Sequence, residues 1–182
     1  VALEQTPNCL QNLRALTVLT ALTGDIDVPG GNIFGMHILR DFPTGYDRLT
    51  SEVHDTRLGA DRFKLLSGRE AFVPSAHAPM VFRAMITGEP YPVKAFLIFG
   101  NNSLLTYANP GEVRQALLNL DLLVATDLYM TPTVELADIV LPAASWLEIN
   151  SVRGYPLRAE NVALVQQKIT QVGKARQDEE IM

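Results

Sequence analysis

Polar residues follow two apolar runs in the second half of this 182-residue chain, in a pattern suited to binding a nucleotide. The residues in question are Gly100, Asn101, Asn102, Asp127 and Thr131. Asparagine amides donate and accept hydrogen bonds, and a carboxylate accepts two parallel bonds from adjacent N–H groups, as on a guanine edge. Glycine lets the backbone approach a bulky group such as a phosphate or a pterin. We see no nucleophile–base pair and no phosphate loop, so these residue types indicate binding and not acid–base catalysis.

The elements that would position these residues alternate between strand and helix. An apolar run over residues 93–99 and a second in "DLLVATD" predict two buried strands, with the helix "NPGEVRQALLNL" between them. In that helix Asn109 suits the cap, Pro110 the first turn and Glu112 the third position. "TPTVELAD" predicts a short helix, and "IVLP" predicts a third strand that Pro142 ends.

Strand, helix, strand, helix and strand form half of a doubly wound sheet, so the predicted class is α/β: a three-layer, Rossmann-like parallel sheet with flanking helices. In such sheets ligands bind outside the carboxyl ends of the strands. We therefore expect Gly100, Asn101, Asn102 and Asp127 to face one crevice. A structural role is the alternative, and spacing alone favours it. Asp127 would then cap the next short helix, Asn101 and Asn102 would tolerate a left-handed turn, and Asp138 would cap a helix end or pair locally.

Fewer helices and strands are predicted in the first half of the chain. A helix capped by Thr6 should end at Gly24, and its leucines at every third position sweep around the axis, which predicts burial over much of its surface. A glycine-rich turn follows, then a long connection over residues 37–73, and then the helix "APMVFRAMIT" ending near Gly88. The predicted domains are residues 1–90, holding the helix, the turn and the connection, and residues 91–182, a half-domain that holds a cofactor.

Composition excludes several classes of function. Fifteen basic and twenty acidic residues give a net charge of −5 without any basic stripe, which argues against nucleic-acid partners. No apolar stretch is long enough to cross a bilayer, so no direct membrane insertion is expected. The single Cys9 cannot form a disulfide or hold an iron–sulfur cluster, and the three histidines are too scattered for a local metal motif. The start at Val1 suggests a removed leader or a piece of a longer protein.

The chain resembles the molybdopterin oxidoreductases of the dimethyl-sulfoxide-reductase type, with some similarity to thiosulfate and polysulfide reductases. An aspartate four residues before a threonine, followed by Ala-Asp-x-Val-Leu-Pro and a glutamate, is the most specific feature. The resemblance rests on four stretches: "LTALTGDIDVPGGN", "GEPYPVKAFLIFGNN", "LDLLVATDLYMTPTVELADIVLPAASWLE" and "GKARQDEEIM". Gly100-Asn101-Asn102-Ser103 departs from the Gly-x-Asn-Pro of many relatives.

The resemblance implies a cofactor and a place for it. The cofactor is bis-molybdopterin guanine dinucleotide with molybdenum or tungsten, and an iron–sulfur cluster lies outside these residues. Gly100, Asn101 and Asn102 would contact one dinucleotide, and Asp127, Leu128 and Thr131 would surround its guanine. The implied partners are the remaining domains of the same catalytic subunit and an iron–sulfur electron-transfer subunit. The compartment does not follow from the sequence, and a bacterial or archaeal cytoplasm or periplasm is the range considered.

Three functions follow from these observations. The chain would be the middle portion of a two-electron oxidoreductase subunit used in anaerobic respiration, inactive when isolated. Alternatively, it would be a non-catalytic electron-transfer scaffold of a respiratory complex, in which the crevice binds nothing. An independent small nucleotide-binding protein is the third reading. Substrate, reaction direction, metal and metal ligand do not follow from this sequence.

Overall fold

A computed structural model describes residues 3, 6–32, 49–69, 71, 75–154 and 163–182. Their contacts form two units, Val1–Asp41 with Asn150–Gln166, and Phe42–Ile149 with Gln167–Met182. The larger unit therefore holds residues from both sides of residue 90. The domain boundary predicted there stays a prediction. Within the described ranges, no helix is long and apolar enough to cross a membrane.

The smaller unit contains one long helix and a two-stranded ribbon. Its elements are α1 (Cys9–Thr23), β4 (Ser151–Gly154) and β5 (Ala163–Gln166), the two strands being antiparallel. The predicted turn after α1 is closed by a hydrogen bond from the Asn32 amide to the Asp25 carbonyl, 2.7 Å long.

The larger unit contains the predicted sheet. Its elements are α2 (Ser51–Asp55), α3 (Lys64–Ser67), α4 (Ala78–Thr87), β1 (Ala95–Phe99), α5 (Ser103–Thr106), α6 (Pro110–Leu118), β2 (Leu122–Asp127), a 3-10 helix (Val134–Leu136), β3 (Ile139–Pro142), a second 3-10 helix (Trp146–Glu148) and α7 (Asp178–Ile181). The strands are parallel in the order β1-β2-β3, with Ala95 opposite Leu122 and Asp127 opposite Pro142. The predicted α/β class with flanking helices is confirmed.

The core lies between one face of the sheet and the helices α4 and α6. Its buried members are Phe82, Met85, Ile98, Val113, Ala116, Leu117, Leu123, Ala125 and Val134. On the other face Leu97 is 57% exposed, and Ile181 and Met182 at the end of α7 border a cavity against β1–β3. Burial of one face against two helices fixes the sheet, and with it the positions of the strand ends.

Helix α1 differs from expectation at its start and on its surface. It begins at Cys9, and the Thr6 hydroxyl donates to the Leu3 carbonyl instead of capping the helix, because residues 6–8 form a turn of their own. Gly24 ends the helix in the left-handed conformation, as predicted. No described residue of α1 is buried, and Leu22 is 80% exposed. The prediction of extensive burial is therefore wrong for this structure: leucines at a three-residue interval point in several directions, so no single surface covers them.

The caps of α4 and α6 follow the sequence. Gly88 ends α4 with a φ of 76°. At α6 the side-chain oxygen Oδ1 of Asn109 accepts a 3.4 Å bond from the Glu112 amide, and the Asn109 side-chain amide donates to the Glu112 carboxylate at 2.8 Å. The predicted cap is confirmed, although Glu112 binds the side chain of the cap residue and not its backbone.

A buried carboxylate fastens the carboxyl-terminal segment to the second 3-10 helix. Glu148 is 7% exposed and accepts bonds from the amide and hydroxyl of Ser145 and, at 2.6 Å, from the amide of Val172. The Ser145 amide, then the Val172 amide, hold the pKa of the Glu148 carboxyl below its ordinary value. Ser145 and Glu148 have the Ser-x-x-Glu spacing of a capping box, which the sequence analysis did not use.

The lowered pKa of Glu148 predicts a stability change in acid. The stabilisation is complete above the ordinary glutamate pKa and is lost as the pH falls through the lower pKa of the folded state. In denaturant titrations between pH 7 and pH 3, we expect the unfolding free energy of the wild type to fall. The unfolding free energy of Glu148→Gln should fall less over the same range. The exposed Glu135→Gln is the control and should keep the wild-type profile. Parallel profiles for wild type and Glu148→Gln would show that the carboxylate carries no such stabilisation.

Candidate functional site

The carboxyl ends of the three strands lie together along one side of the sheet, the carboxyl edge. The Gly100 amide donates to the Thr126 carbonyl at 2.9 Å, and the Ala143 amide donates to the Asp127 carbonyl at 3.1 Å. Both bonds extend the strand ladders by one residue, and neighbouring strands lie about 4.8 Å apart. The glycine after β1 and the aspartate at the end of β2 therefore lie side by side.

Asp127 forms a tight turn with one carboxylate oxygen. Its Oδ1 accepts bonds from the amides of Leu128 at 2.7 Å and Tyr129 at 3.4 Å. The next helix begins at Val134, beyond reach of this turn, so the alternative that Asp127 caps that helix is wrong. Within the part of the chain that the structure describes, no hydrogen bond reaches Oδ2. Asp127 is half-buried, and this second oxygen is open to a ligand.

The two asparagines make different contacts. Asn102 Oδ1 accepts a 2.8 Å bond from the hydroxyl of Thr133, and that hydroxyl oxygen accepts the Leu104 amide at 3.0 Å. Asn102 therefore ties the loop after β1 to the loop after β2. Asn101 Oδ1 accepts from the Ser103 hydroxyl at 3.0 Å, so its side-chain amide keeps two donors.

Thr133 is a site residue that the sequence analysis missed. It is fully buried and lies 31 positions from Asn102, so no local pattern connects the two residues. Among the described residues neither Asn101 nor Asn102 has a positive φ, and the left-handed residue of this loop is Gly100, with a φ of 54°. The alternative that the asparagines accommodate a left-handed turn is therefore wrong.

Leu128 and Thr131 lie on the loop after Asp127. Leu128 is 53% exposed, and the Thr131 hydroxyl oxygen accepts a 3.3 Å bond from the Val134 amide, leaving its O–H free to donate. Asp138 caps none of the described helices, and its side chain does not bind a neighbour in the sequence but a residue 15 positions away. Its Oδ2 accepts the Leu123 amide at 2.7 Å where β2 begins, at the far end from Asp127.

The conformation of Gly100 gives a stability prediction. A Cβ built there meets nothing within 4 Å, but the positive φ disfavours any L-residue. We expect Gly100→Ala to lower the free energy of unfolding by about 1–2 kcal/mol. Gly111→Ala in α6 is the matched control, since an added Cβ there makes only an ordinary 3.7 Å contact, and it should stabilise by about 0.5–1 kcal/mol. Urea denaturation of both variants tests this, and equal changes would mean that φ at Gly100 carries no strain.

The arrangement is suited to holding a ligand. The described residues contain no group of three or more His, Cys, Asp or Glu side chains that could hold a metal ion. The carboxyl edge offers the open Oδ2 of Asp127, the two amide donors of Asn101 and the hydroxyl of Thr131. Gly100 adds a backbone position with open space beside it. A nucleotide fits this set, with the base against the carboxylate and a larger group near the glycine.

Comparison with known proteins identifies relatives over the whole chain. The sequence matches the molybdopterin oxidoreductase family over residues 2–182. It is 32% identical to dopamine dehydroxylase of Eggerthella lenta, over 100% of this chain and 18% of that protein. It is 28% identical to the molybdopterin-containing subunit of thiosulfate reductase of Salmonella typhimurium, over 65% of this chain and 15% of that protein.

A solved structure is similar as well. Acetylene hydratase from Pelobacter acetylenicus superposes with a TM-score of 0.62 and 30% sequence identity, covering 74% of this chain and 21% of that one. These matches confirm the resemblance found in the sequence. The chain spans only about a fifth of the length of the relatives it matches.

Proposed function

The chain belongs to the molybdopterin oxidoreductase family, and from that membership we propose that it is the cofactor-holding portion of the catalytic subunit of a molybdenum or tungsten oxidoreductase. The cofactor, when bound, supplies the two-electron chemistry, and the protein supplies binding and orientation. None of the proposed site residues acts as a general acid or base. The chain by itself therefore binds and does not turn over substrate.

The bound group is a pterin guanine dinucleotide held at the carboxyl edge of the sheet. The observation that carries this proposal is the open Oδ2 of Asp127, on a carboxylate whose other oxygen is fixed by two backbone amides. Because Oδ1 is occupied, the adjacent N–H donors of a guanine edge would bind at Oδ2, whereas adenine presents no such pair of adjacent donors. Leu128 would contact the base, and the free O–H of Thr131 would donate to it.

The loop after β1 would hold the remainder of the dinucleotide. Gly100 has no side chain and lies beside Asp127, so a phosphate can approach its backbone. The amide group of Asn101 can donate to phosphate oxygens. The side-chain oxygen of Asn102 is bound to Thr133, so Asn102 would contact the dinucleotide through its side-chain NH₂ group, as Asn101 does.

The partners of this portion are the remaining domains of the same subunit and an iron–sulfur electron-transfer subunit. The first is supported by the share of each relative that the chain covers, between 15% and 21% for the three proteins compared above. A metal ligand and an iron–sulfur cluster would come from those domains.

Isolation of the encoded protein from anaerobic cells tests the proposal. Mild acid releases the nucleotide half of such a cofactor, and oxidation makes the pterin fluorescent. We expect GMP in stoichiometric amount, accompanied by pterin fluorescence and by molybdenum or tungsten. A folded protein that contains neither GMP nor pterin would contradict the proposal and favour the non-catalytic scaffold.

A further inference from the structure

The hydroxyl of one buried threonine connects the two loops of the carboxyl edge. Thr133 belongs to the loop after β2, which begins at Asp127. Its O–H donates to Asn102 Oδ1 at 2.8 Å, and its oxygen accepts the amide of Leu104 at 3.0 Å. Both partners lie in or directly after the loop that follows β1. The position of one loop is therefore tied to that of the other through this side chain.

The burial of Thr133 also fixes the orientation of the Asn102 side-chain amide. Thr133 is 0% exposed, and a buried hydroxyl hydrogen needs an acceptor. Asn102 Oδ1 is that acceptor, so the NH₂ group of Asn102 takes the other position of the planar amide. Among the described residues none accepts a hydrogen bond from this NH₂ group, and Asn102 is only half-buried. Its two donors are therefore available to a ligand at the carboxyl edge.

The second bond of Thr133 takes the place of a helix cap. Asn102 is the N-cap residue of α5, yet its side chain makes no capping bond. The amide of Leu104, in the first turn of α5, is capped from the other loop by the Thr133 oxygen. The backbone that follows Gly100 is thus located relative to Asp127 by a bond between the two loops.

The position of Thr133 is itself fixed by the core. The neighbouring Val134 is 1% exposed and belongs to the core. The Val134 amide donates to the Thr131 hydroxyl at 3.3 Å. The Leu136 amide donates to the Thr133 carbonyl at 3.1 Å. Thr133 therefore cannot follow a movement of the loop after β1 without disturbing buried contacts.

We propose that Thr133 is a positioning residue for the bound dinucleotide. Its hydroxyl sets the spacing between the loop that binds the base and the loop that binds the phosphates, and it holds the NH₂ group of Asn102 as a phosphate donor. This rests on the proposed function, which places guanine at Asp127 and a phosphate beside Gly100. A ligand that contacts both loops binds more tightly when the loops already have the spacing it requires, because no ordering cost is then incurred.

The turn that binds the base does not depend on this link. Asp127 Oδ1 is held by the amides of Leu128 and Tyr129, which belong to the same turn. Loss of the Thr133 hydroxyl should therefore weaken the contacts of the phosphates and spare those of the base. A role confined to general stability predicts a different result, namely an equal loss at both loops.

Four substitutions distinguish these two roles. Thr133→Val removes the hydroxyl at almost the same shape, and Thr133→Ser keeps it. Asn102→Asp keeps an oxygen for the Thr133 hydroxyl but replaces the NH₂ group by an oxygen that repels phosphate. Thr106→Val is the matched control, because Thr106 is exposed. Its hydroxyl donates within its own segment, to the Asn102 carbonyl at 3.0 Å and to Asn101 Oδ1 at 3.4 Å.

Hydrogen–deuterium exchange of the full encoded protein, produced in cells that cannot make pterin, tests the proposal. In the wild type we expect GDP to slow exchange at the amides of Leu128 and Tyr129 and at those of residues 101–104. In Thr133→Val and in Asn102→Asp only the first effect should remain, and the GDP concentration that gives half of it should rise about tenfold. Thr133→Ser and Thr106→Val should keep both effects, at a GDP concentration within about twofold of the wild-type value.

The other outcomes contradict the proposal in distinguishable ways. Equal loss of both effects in Thr133→Val, or none in that variant while the wild type shows both, would overturn the positioning role alone. If Thr133→Val does not fold, Asn102→Asp decides, and GDP protection of residues 101–104 in that variant would overturn the proposal. A wild type in which GDP protects neither place contradicts the proposed function, and this inference with it.

Discussion

Asp127→Asn is expected to abolish the preference of this protein for guanine over adenine nucleotides. The substituted amide keeps an oxygen for the amides of Leu128 and Tyr129, so the turn should survive. At the other position an NH₂ replaces the open Oδ2, and a donor there faces the N–H groups of guanine. Hydrogen bonds to charged groups contribute about 1.5–3 kcal/mol, so GDP affinity should fall by about 10- to 100-fold while ADP affinity stays unchanged.

Asp121→Asn is the matched control for this substitution. Asp121 precedes the same strand at its opposite end, is 70% exposed and pairs with Lys94 at 3.5 Å. The same charge is removed, but far from the carboxyl edge. Competition of GDP and ADP for each variant measures the preference, and equal loss in both variants would mean that Asp127 acts only through net charge.

The largest stability effect is expected at Leu123, the first buried residue of the central strand β2. Its side chain is 1% exposed and belongs to the core between the sheet and the helices α4 and α6. Leu123→Ala removes buried surface and leaves a cavity, at a cost of about 3–5 kcal/mol in the free energy of unfolding. Because β2 ends at Asp127, nucleotide binding should be lost at correspondingly lower denaturant concentration.

Leu118→Ala provides the comparison for this prediction. Leu118 ends α6 and is 54% exposed, so its truncation should cost less than about 1 kcal/mol. Urea unfolding followed by far-ultraviolet circular dichroism gives both values. If the two substitutions cost the same, the core does not lie between β2 and these helices.

The strands and the caps could be predicted from sequence because their signals are local. Short apolar runs that stop at Gly100, Asp127 and Pro142 predicted strands ending within a residue of those positions. Asn109 followed by a proline and a glutamate predicted the start of α6. In each case the residues that determine the structure are neighbours in the chain.

The remaining features depend on distant residues or on surfaces that are not local. The bond from Thr133 to Asn102 joins two loops 31 positions apart, and nothing near either residue signals it. Leu22 and the other leucines of α1 are exposed, although their spacing of three residues predicted burial. Residues 37–48 of the predicted long connection lie outside the described residues, while α2 and α3 account for part of the remainder.

Titration of the 182-residue chain with GDP and with ADP, followed by amide chemical shifts, tests the central claim most directly. The titrated chain lacks the proposed remaining domains of the subunit, so its site is incomplete. We expect a dissociation constant near the millimolar range, a binding free energy of about 4 kcal/mol. We expect shifts with GDP at Gly100, Asn102, Asp127 and Thr131, and none at these residues with ADP. If the folded chain gives no shifts at these amides with either nucleotide, or the same shifts with both, the carboxyl edge of this sheet does not recognise guanine.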